Sequence, residues 1–244
     1  MCDLLITCSQ TLCHLDYEGW APLEDSEPEE RTVTLPVLRN LRLAFIDDIA
    51  ALASCIVAPA LLNFTLHDVL FCPTLLPVVD RRAATLRDEI AAVFDSLGRS
   101  SCTTVTRLRL VGLGHCQRSD VDTFFDRMPN LTDLEISLCD RVYQEALFQP
   151  ESCFRLPRIV FPILSSLTTT LVRPTDLARF LLRHKTLASA VKPLKKLDVT
   201  QKQIADAYAR PGICSILAVV LEMSRKEGML VSATQDPRIY VVEY

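Results

Sequence analysis

Seven windows of nine residues along the chain share one pattern of apolar and polar positions. They read "SQTLCHLDY", "LPVLRNLRL", "APALLNFTL", "CTTVTRLRL", "MPNLTDLEI", "FPILSSLTT" and "VKPLKKLDV", and they begin at residues 9, 35, 58, 102, 128, 161 and 191. Position four is aliphatic, position seven is apolar and position eight is polar or charged in every window, whereas position nine is apolar except at Thr169. Alternation around position eight is typical of a half-buried β-strand, and the aliphatic residue at position four directs the incoming chain into the same core. Each window therefore predicts one strand.

The chain between these windows has the spacing of amphipathic helices in four places. Apolar residues recur there every three or four positions, as expected for one buried helix face. The four stripes are Ala83, Leu86, Ile90, Val93 and Leu97; Val121, Phe124, Phe125 and Met128; Leu177, Phe180, Leu181 and His184; and Ile213, Ile216, Leu217, Val220 and Leu221. Ser119 and Asp122 have the spacing of a capping box, which predicts that the second of these helices begins near Ser119.

Positions four, seven and nine together form the pattern L-x-x-L-x-L, and Cys139 fills the asparagine or cysteine position that follows it in "LTDLEISLC". This spacing is that of a leucine-rich repeat. Since strands and helices alternate, the sequence predicts an α/β leucine-rich-repeat solenoid. Its form would be a curved horseshoe with parallel strands on the concave side and helices on the convex side.

The domain organisation follows from the same windows. We expect one leucine-rich-repeat domain over residues 1–244, built of about seven irregular units. Residues 21–31 are rich in glutamate and aspartate and are expected to form an acidic loop. Residues 229–244 are expected to close the domain, with a strand pair as one way of doing so.

Only "MCDLLITC" precedes the first window. A solenoid needs capping units with a polar outer face, and this segment looks too short to provide one. We therefore expect either that the chain is a fragment of a longer protein or that a partner covers its first strand.

Composition limits the kinds of partner. The net charge of −4 gives no reason to expect nucleic-acid binding. The longest apolar stretch, Ile49–Leu62, contains Ser54 and Pro59 and is too short to cross a membrane. Ten cysteines form no C-x-x-C pair, and the nearest metal-like group, Cys102 with His115 and Cys116, matches no closed metal site. We expect an intracellular protein, cytoplasmic or nuclear, with reduced thiols and with no metal or cofactor.

Motifs for catalysis are also missing from the sequence. It contains no phosphate-binding G-x-x-x-x-G-K-[ST] loop and no G-x-S-x-G nucleophile turn, and "GLGHC" lacks the third glycine of a dinucleotide motif. His115 and Cys116 could act as a base and a nucleophile only if their side chains folded against each other. The sequence therefore predicts that the protein is not an enzyme.

"LPVLRNLRL", "RSSCTTVTRLRLVGL" and "VDTFFDRMPNLTDLEIS" resemble the leucine-rich-repeat region of fungal F-box proteins. The resemblance covers residues 9 to about 231 and includes no F-box. In that family the F-box docks on the Skp1 adaptor of a ubiquitin ligase and the repeats capture the substrate. The resemblance implies that this chain recognises a protein substrate, with a Skp1-type adaptor as partner only if an F-box exists upstream. The alternative is a free-standing repeat scaffold or decoy with no role in ubiquitin transfer.

A repeat solenoid binds partners through residues that point outward from its strands, which here are positions six and eight of the windows. The predicted partner-binding strip is Asp16, Arg42, Thr65, Arg107, Arg109, Asp133, Glu135, Thr168, Lys196 and Asp198. Arg107 and Arg109 are expected beside Asp133 and Glu135 on the neighbouring strand. The alternative interpretation is that these charges only pair across strands and solvate the sheet.

A second candidate surface is basic. Its members are Arg179, Arg183, His184, Lys185, Lys192, Lys195 and Lys196. Together with the acidic loop near the other end of the chain, they could orient an acidic partner. The alternative is a solvated helix face.

Overall fold

The computed structural model describes residues 2–19, 32–45, 49–68, 90–98, 102–148, 161–170, 172–186, 191–200 and 213–234. Among the sequence predictions, the acidic loop at 21–31 and the start of the helical stripe at Ala83 and Leu86 lie outside these residues.

Each of the seven windows forms a strand that begins at its position six. The strands are β1 (His14–Gly19), β2 (Val33–Thr34), β3 (Asn40–Phe45), β4 (Ile56–Val57), β5 (Asn63–Asp68), β6 (Arg107–Val111), β7 (Asp133–Ser137), β8 (Ser166–Thr169), β9 (Lys196–Thr200) and β10 (Leu230–Thr234). Eight of them form one sheet in the order β1-β3-β5-β6-β7-β8-β9-β10, and the short β2 and β4 pair separately. All of these pairings are parallel. The predicted α/β fold with a parallel sheet is therefore confirmed.

A repeated backbone pattern sets the register of the sheet. The carbonyl of position five in one window accepts two N–H groups from the next window, as when Thr106 O accepts from Thr132 N and Asp133 N at 2.8 and 3.1 Å. Within a window, the N–H of position four donates to the carbonyl of position one, as Leu131 does to Met128 at 3.3 Å. This turn points the position-four side chain into the core. The strands then pair without an offset, so residues at the same position of neighbouring windows lie side by side.

One face of the sheet is buried and the other is exposed. Positions seven and nine supply core residues, among them Leu41, Leu43, Phe64, Leu66, Leu108, Leu110, Leu134, Ile136, Leu167, Leu197 and Val199. Thr169 is also completely buried at position nine, and within the described part of the chain its hydroxyl has no hydrogen-bond partner. Burying an unpaired hydroxyl is unfavourable, so Thr169 is a local weak point of an otherwise aliphatic face.

Helices cover the buried side of this arrangement. They are α1 (Cys2–Cys8), α2 (Ile49–Cys55), α3 (90–98), α4 (Arg118–Asp126), α5 (Arg141–Phe148), α6 (Pro174–Thr186) and α7 (Ile213–Lys226). In the described part of the four predicted stripes, the aliphatic and phenylalanine side chains whose exposure is known are buried. Aromatic contacts join successive helices, with Phe94 stacked on Phe124 at 3.9 Å and Phe148 edge-on to Phe180 at 5.3 Å between ring centroids. None of the described helices has the length and apolar character needed to cross a membrane.

The predicted start of α4 near Ser119 is confirmed, since the helix begins one residue earlier, at Arg118. The capping box itself is not formed, because the N-cap is Gln117, which makes no side-chain capping bond. Ser119 therefore lies inside the first turn, where its backbone is helical and its side chain cannot take the N-cap geometry. Asp122 instead accepts from Arg118 Nε at 3.2 Å, four residues earlier on the same helix.

The windows and stripes do not cover α1, α2, α5, the short strands β2 and β4, or β10, although β10 falls in the predicted closing segment. The segment before the first window forms α1, whose Leu5 is buried and which contacts β2. The predicted closing segment supplies one strand, β10, which pairs in parallel with β9, and residues 235–244 lie outside the described part. Gly228 follows α7 with a φ of 89°, a left-handed conformation that favours glycine at a helix end.

Candidate binding face on the sheet

The ten residues of the predicted strip all lie in strands of the eight-stranded sheet, and the register brings neighbours together as expected. Arg107 pairs with Asp133 and Arg109 with Glu135 across β6 and β7. Nine of the ten are exposed or half-buried, and Asp198 is buried. The strands thus present a polar face that alternates with the apolar core face.

On β1 and β3, one arginine bridges two carboxylates. Arg42 Nη1 donates to Asp16 Oδ1 at 2.7 Å, and Nη2 donates to Glu18 Oε2 at 2.9 Å. These hydrogen bonds raise the pKa of Arg42 above its ordinary value. Two carboxylates share one guanidinium, so this edge of the face carries a net negative charge.

On β6 and β7, two arginines face two carboxylates. Arg109 Nε lies 2.9 Å from Glu135 Oε2, whereas Arg107 Nε lies 3.8 Å from Asp133 Oδ2. The side chains of Arg107 and Arg109 remain 70% and 56% exposed. The predicted pairing across strands is therefore present, and both guanidinium groups are still accessible to a partner.

Between these charged pairs lies β5, whose outward residues are Asn63, Thr65 and His67. Asn63 Nδ2 donates to Asn40 Oδ1 at 2.5 Å, which links β5 to β3. Burial lowers the pKa of His67, and the nearby charges of Arg42 and Arg109 lower it further, while Glu18 opposes them more weakly. The imidazole is therefore neutral at physiological pH.

At the other end of the sheet, Asp198 has a different environment. Its carboxylate accepts hydrogen bonds from Thr168 Oγ1 at 3.1 Å and from Ser232 Oγ, and it lies 2.7 Å from Lys196 Nζ. Burial alone would raise the pKa of Asp198, but the hydrogen bonds from Lys196, Ser232 and Thr168 outweigh it and lower the pKa. The group joins β8, β9 and β10 to one another.

The basic candidate surface lies on α6, on the segment before β9 and on Lys196, the first residue of β9. Lys185 Nζ pairs with Glu227 at 2.7 Å, and Arg179 lies 3.9 Å from Asp176. His184 packs on Phe180 with ring centroids 4.6 Å apart, and burial lowers its pKa. The acidic loop that would complete this polarity lies outside the described residues, so the orienting role stays a prediction.

Three of the described cysteines, Cys102, Cys116 and Cys139, are buried in the core, whereas Cys8 and Cys55 are half-buried and Cys13 is exposed. Burial raises the pKa of Cys102 to about 11 and that of Cys139 to about 12, so both are thiols at neutral pH. Cys116 is buried with Sγ 3.9 Å from Asp120 Oδ2, whereas His115 is exposed with Nδ1 3.6 Å from Asp140 Oδ1. The neighbouring Cys116 and His115 therefore have different partners. In the described ranges, no group of cysteine, histidine and carboxylate side chains is arranged to hold a metal ion.

A shallow groove lies between α3 and α4. It has a volume of about 210 Å³, its lining includes the stacked Phe94 and Phe124, and Asp95 and Arg127 are 3.6 Å apart beside it. Ligand pockets for small molecules usually measure about 300–1,000 Å³. The groove is smaller than such a site and does not favour a small-molecule ligand.

Part of this face lies outside the windows. Glu18 and His67 are at position ten, one position past the end of a window, and Ser232 lies on β10, which no window covers. Extending the period-two alternation by one more outward position would have found Glu18 and His67.

Comparison with known proteins adds no family assignment. No protein-family model matches the chain, and a search of curated proteins finds no significant match.

Proposed function

We propose that this chain is a leucine-rich-repeat solenoid that captures a protein partner on the exposed face of its eight-stranded sheet. The observation that carries the proposal is the register, which aligns positions six and eight of successive strands into one continuous polar surface. Neighbouring strands lie about 4.8 Å apart, so eight strands form a face about 34 Å wide. Such a width suits a protein segment better than a small molecule.

The finer form of the proposal is that the partner is the substrate of an F-box-type ubiquitin ligase. It is supported by the resemblance of the windows to the repeat region of fungal F-box proteins. A Skp1-type adaptor would bind the same protein through an upstream F-box and not through the strip.

The test is affinity capture from cells of the source organism, with a C-terminal tag on the endogenous protein so that any segment encoded upstream is retained, for the wild type and two double variants. Arg107→Glu/Arg109→Glu reverses two exposed charges on the sheet face. Arg141→Glu/Arg225→Glu is the matched control, because these arginines also pair with glutamates, at 2.5 and 2.8 Å, but lie on helices. We expect a protein that is captured by the wild type and the control and is lost from the sheet variant.

The adaptor separates the two biological roles. A Skp1-type protein retained by all three baits supports the ligase role, because its docking would not involve the strip. A partner without the adaptor favours the free-standing scaffold or decoy. Identical partners for the wild type and the sheet variant would refute the binding face itself.

A further inference from the structure

The charges on the exposed face are ordered by strand. β1 carries the carboxylates of Asp16 and Glu18, and β3 carries Arg42. β5 has only neutral side chains on this face, because its Asp68 is buried on the core side. β6 carries two arginines and β7 carries two carboxylates. The order across the sheet is therefore acidic, basic, neutral, basic, acidic. Ion pairing between neighbouring strands does not require this symmetric order. A simple alternation of acidic and basic strands would also give every charged side chain a partner.

The centre of this arrangement is Thr65. The register places Thr65 directly between Arg42 on β3 and Arg109 on β6. The backbones of β3 and β6 each lie about 4.8 Å from β5, and those of β1 and β7 lie about 10 Å from it. The strands that flank β5 therefore carry arginines on this face, and the carboxylates are one strand further out.

Two further observations agree with a positive centre. The charges of Arg42 and Arg109 both lower the pKa of His67, and together they exceed the opposing influence of Glu18. In addition, Arg109 uses Nε for Glu135, and a guanidinium carries five N–H donors in all. Its outer nitrogens have the fork geometry that binds a carboxylate with two hydrogen bonds.

We infer that the captured protein seats an acidic side chain over Thr65, between Arg42 and Arg109, with a basic residue on either side of it. This inference rests on the proposed binding role of the face. The central carboxylate would meet the arginines, and the flanking basic residues would meet the carboxylates on β1 and β7. The partner's charge order, basic-acidic-basic, complements the order of the face.

The strand spacing sets the spacing of the partner's charges. Two strand separations amount to about 10 Å. A polyproline II segment advances about 9 Å in three residues and returns to the same side of its axis. The matching segment therefore has the form basic-x-x-acidic-x-x-basic and runs across the strands.

The experiment is an NMR titration of the full chain with three synthetic peptides at millimolar concentration. The matched peptide is Lys-Pro-Pro-Glu-Pro-Pro-Lys, the second replaces its central Glu with Gln, and the third exchanges all Lys and Glu. The signals followed are the Nε–H groups of Arg42 and Arg109 and the ring of His67, with Arg141 and Arg225 as references on helices. We expect the matched peptide to shift the three sheet signals and the Gln peptide to bind about tenfold more weakly, as for the loss of one charged hydrogen bond.

A matched pair of variants checks the assignment. Arg42→Gln/Arg109→Gln should abolish the preference for Glu over Gln, whereas Arg141→Gln/Arg225→Gln should retain it, with thermal unfolding used to verify that both variants are folded. The inference is overturned if no peptide shifts the sheet signals, if the Glu and Gln peptides bind equally, or if the charge-exchanged peptide binds best.

The peptide titration and the affinity capture can fail independently, so a wrong charge order can be distinguished from a wrong binding face. If the peptides show no preference while Arg107→Glu/Arg109→Glu still loses its captured protein, only the charge order is wrong. If the capture experiment finds no dependence on the face but the peptides discriminate, the acidic-side-chain site stands and the cellular role fails.

Discussion

Asp16 and Asp198 occupy the same position of the repeat, on strands near opposite ends of the sheet, yet their surroundings differ. The side chain of Asp16 is 48% exposed and pairs with Arg42, which it shares with Glu18. The side chain of Asp198 is 9% exposed, and it is held by Thr168, Lys196 and Ser232 on three strands. We refer to the exposed face of β1, β3, β5, β6 and β7 as the charged region. Asp198, Thr168, Lys196 and Ser232 together are called the Asp198 cluster.

The comparison separates two uses of one outward position. Exposed ion pairs contribute little to stability because water and salt screen them, so the charged region can exchange its pairs for those of a partner at small cost. A buried carboxylate with several donors is costly to remove, since its partners lose their hydrogen bonds in a poorly solvated place. We therefore expect the charged region to serve binding and the Asp198 cluster to hold the last strands together.

The largest expected effect is on Asp198. Asp198→Ala should lower the free energy of unfolding by about 2 kcal/mol, because three donors lose their acceptor. Asp133→Ala is the control in the charged region and should cost less than about 1 kcal/mol. Urea unfolding followed by circular dichroism measures both, and equal losses would erase the distinction between the two regions.

A smaller effect is expected from the pair Arg109 and Glu135. A double-mutant cycle of Arg109→Ala and Glu135→Ala should give a coupling energy of about 0.5 kcal/mol, and this coupling should decline in high salt. The same cycle for Thr168→Val and Asp198→Ala should be larger and nearly independent of salt. A coupling in the charged region that equals the one in the cluster would argue that its arginines are structural.

The smallest expected effect is on the pH dependence of stability. The pKa values of His67 and His184 are lowered from 6.5, first by burial and then by Arg42 and Arg109 for His67 and by Arg183 for His184. The unfolded chain then binds protons more readily than the folded one, so stability is fully present above pH 6.5 and falls as the pH drops through the lowered values.

Unfolding measured between about pH 7 and about pH 5 tests this, with His67→Gln and His184→Gln each reducing the slope. The pKa of Asp198 is lowered from 3.8, so its contribution persists over this range and is lost only at more acidic pH. A stability that stays constant from neutral pH down to pH 5 would show that neither histidine resists protonation.

The strands could be predicted from the windows because a half-buried strand has apolar and polar residues at alternate positions. β10 lies in the predicted closing segment but does not match the windows, because Gly228 occupies the position where the windows have an aliphatic residue. The buried Met229 next to it contributes to the core. Helix α5 was missed although Arg141, Gln144 and Glu145 give it a polar side. It has only eight residues, so the three-to-four-residue spacing of its apolar side chains is repeated too few times to stand out in the sequence.

The pairing of Arg107 and Arg109 with Asp133 and Glu135 was predictable because the register aligns equal positions of adjacent windows. The burial of Asp198 was not predictable, because Ser232 lies on β10, which no window covers and whose register was therefore unknown. The local sequence around a position-eight residue therefore predicts which way it points, whereas its exposure depends on neighbours that are distant in the sequence.

The position-five carbonyl has a consequence for how such a chain can change in length. The windows that begin at 58 and 102 are separated by the longest connection, yet β5 and β6 pair in the same register as strands joined by shorter ones. The hydrogen bonds to the position-five carbonyl align each strand at its first residues, so the alignment does not depend on how many residues connect one window to the next. Residues can therefore be inserted between two windows without changing which residues of the exposed face are paired across adjacent strands.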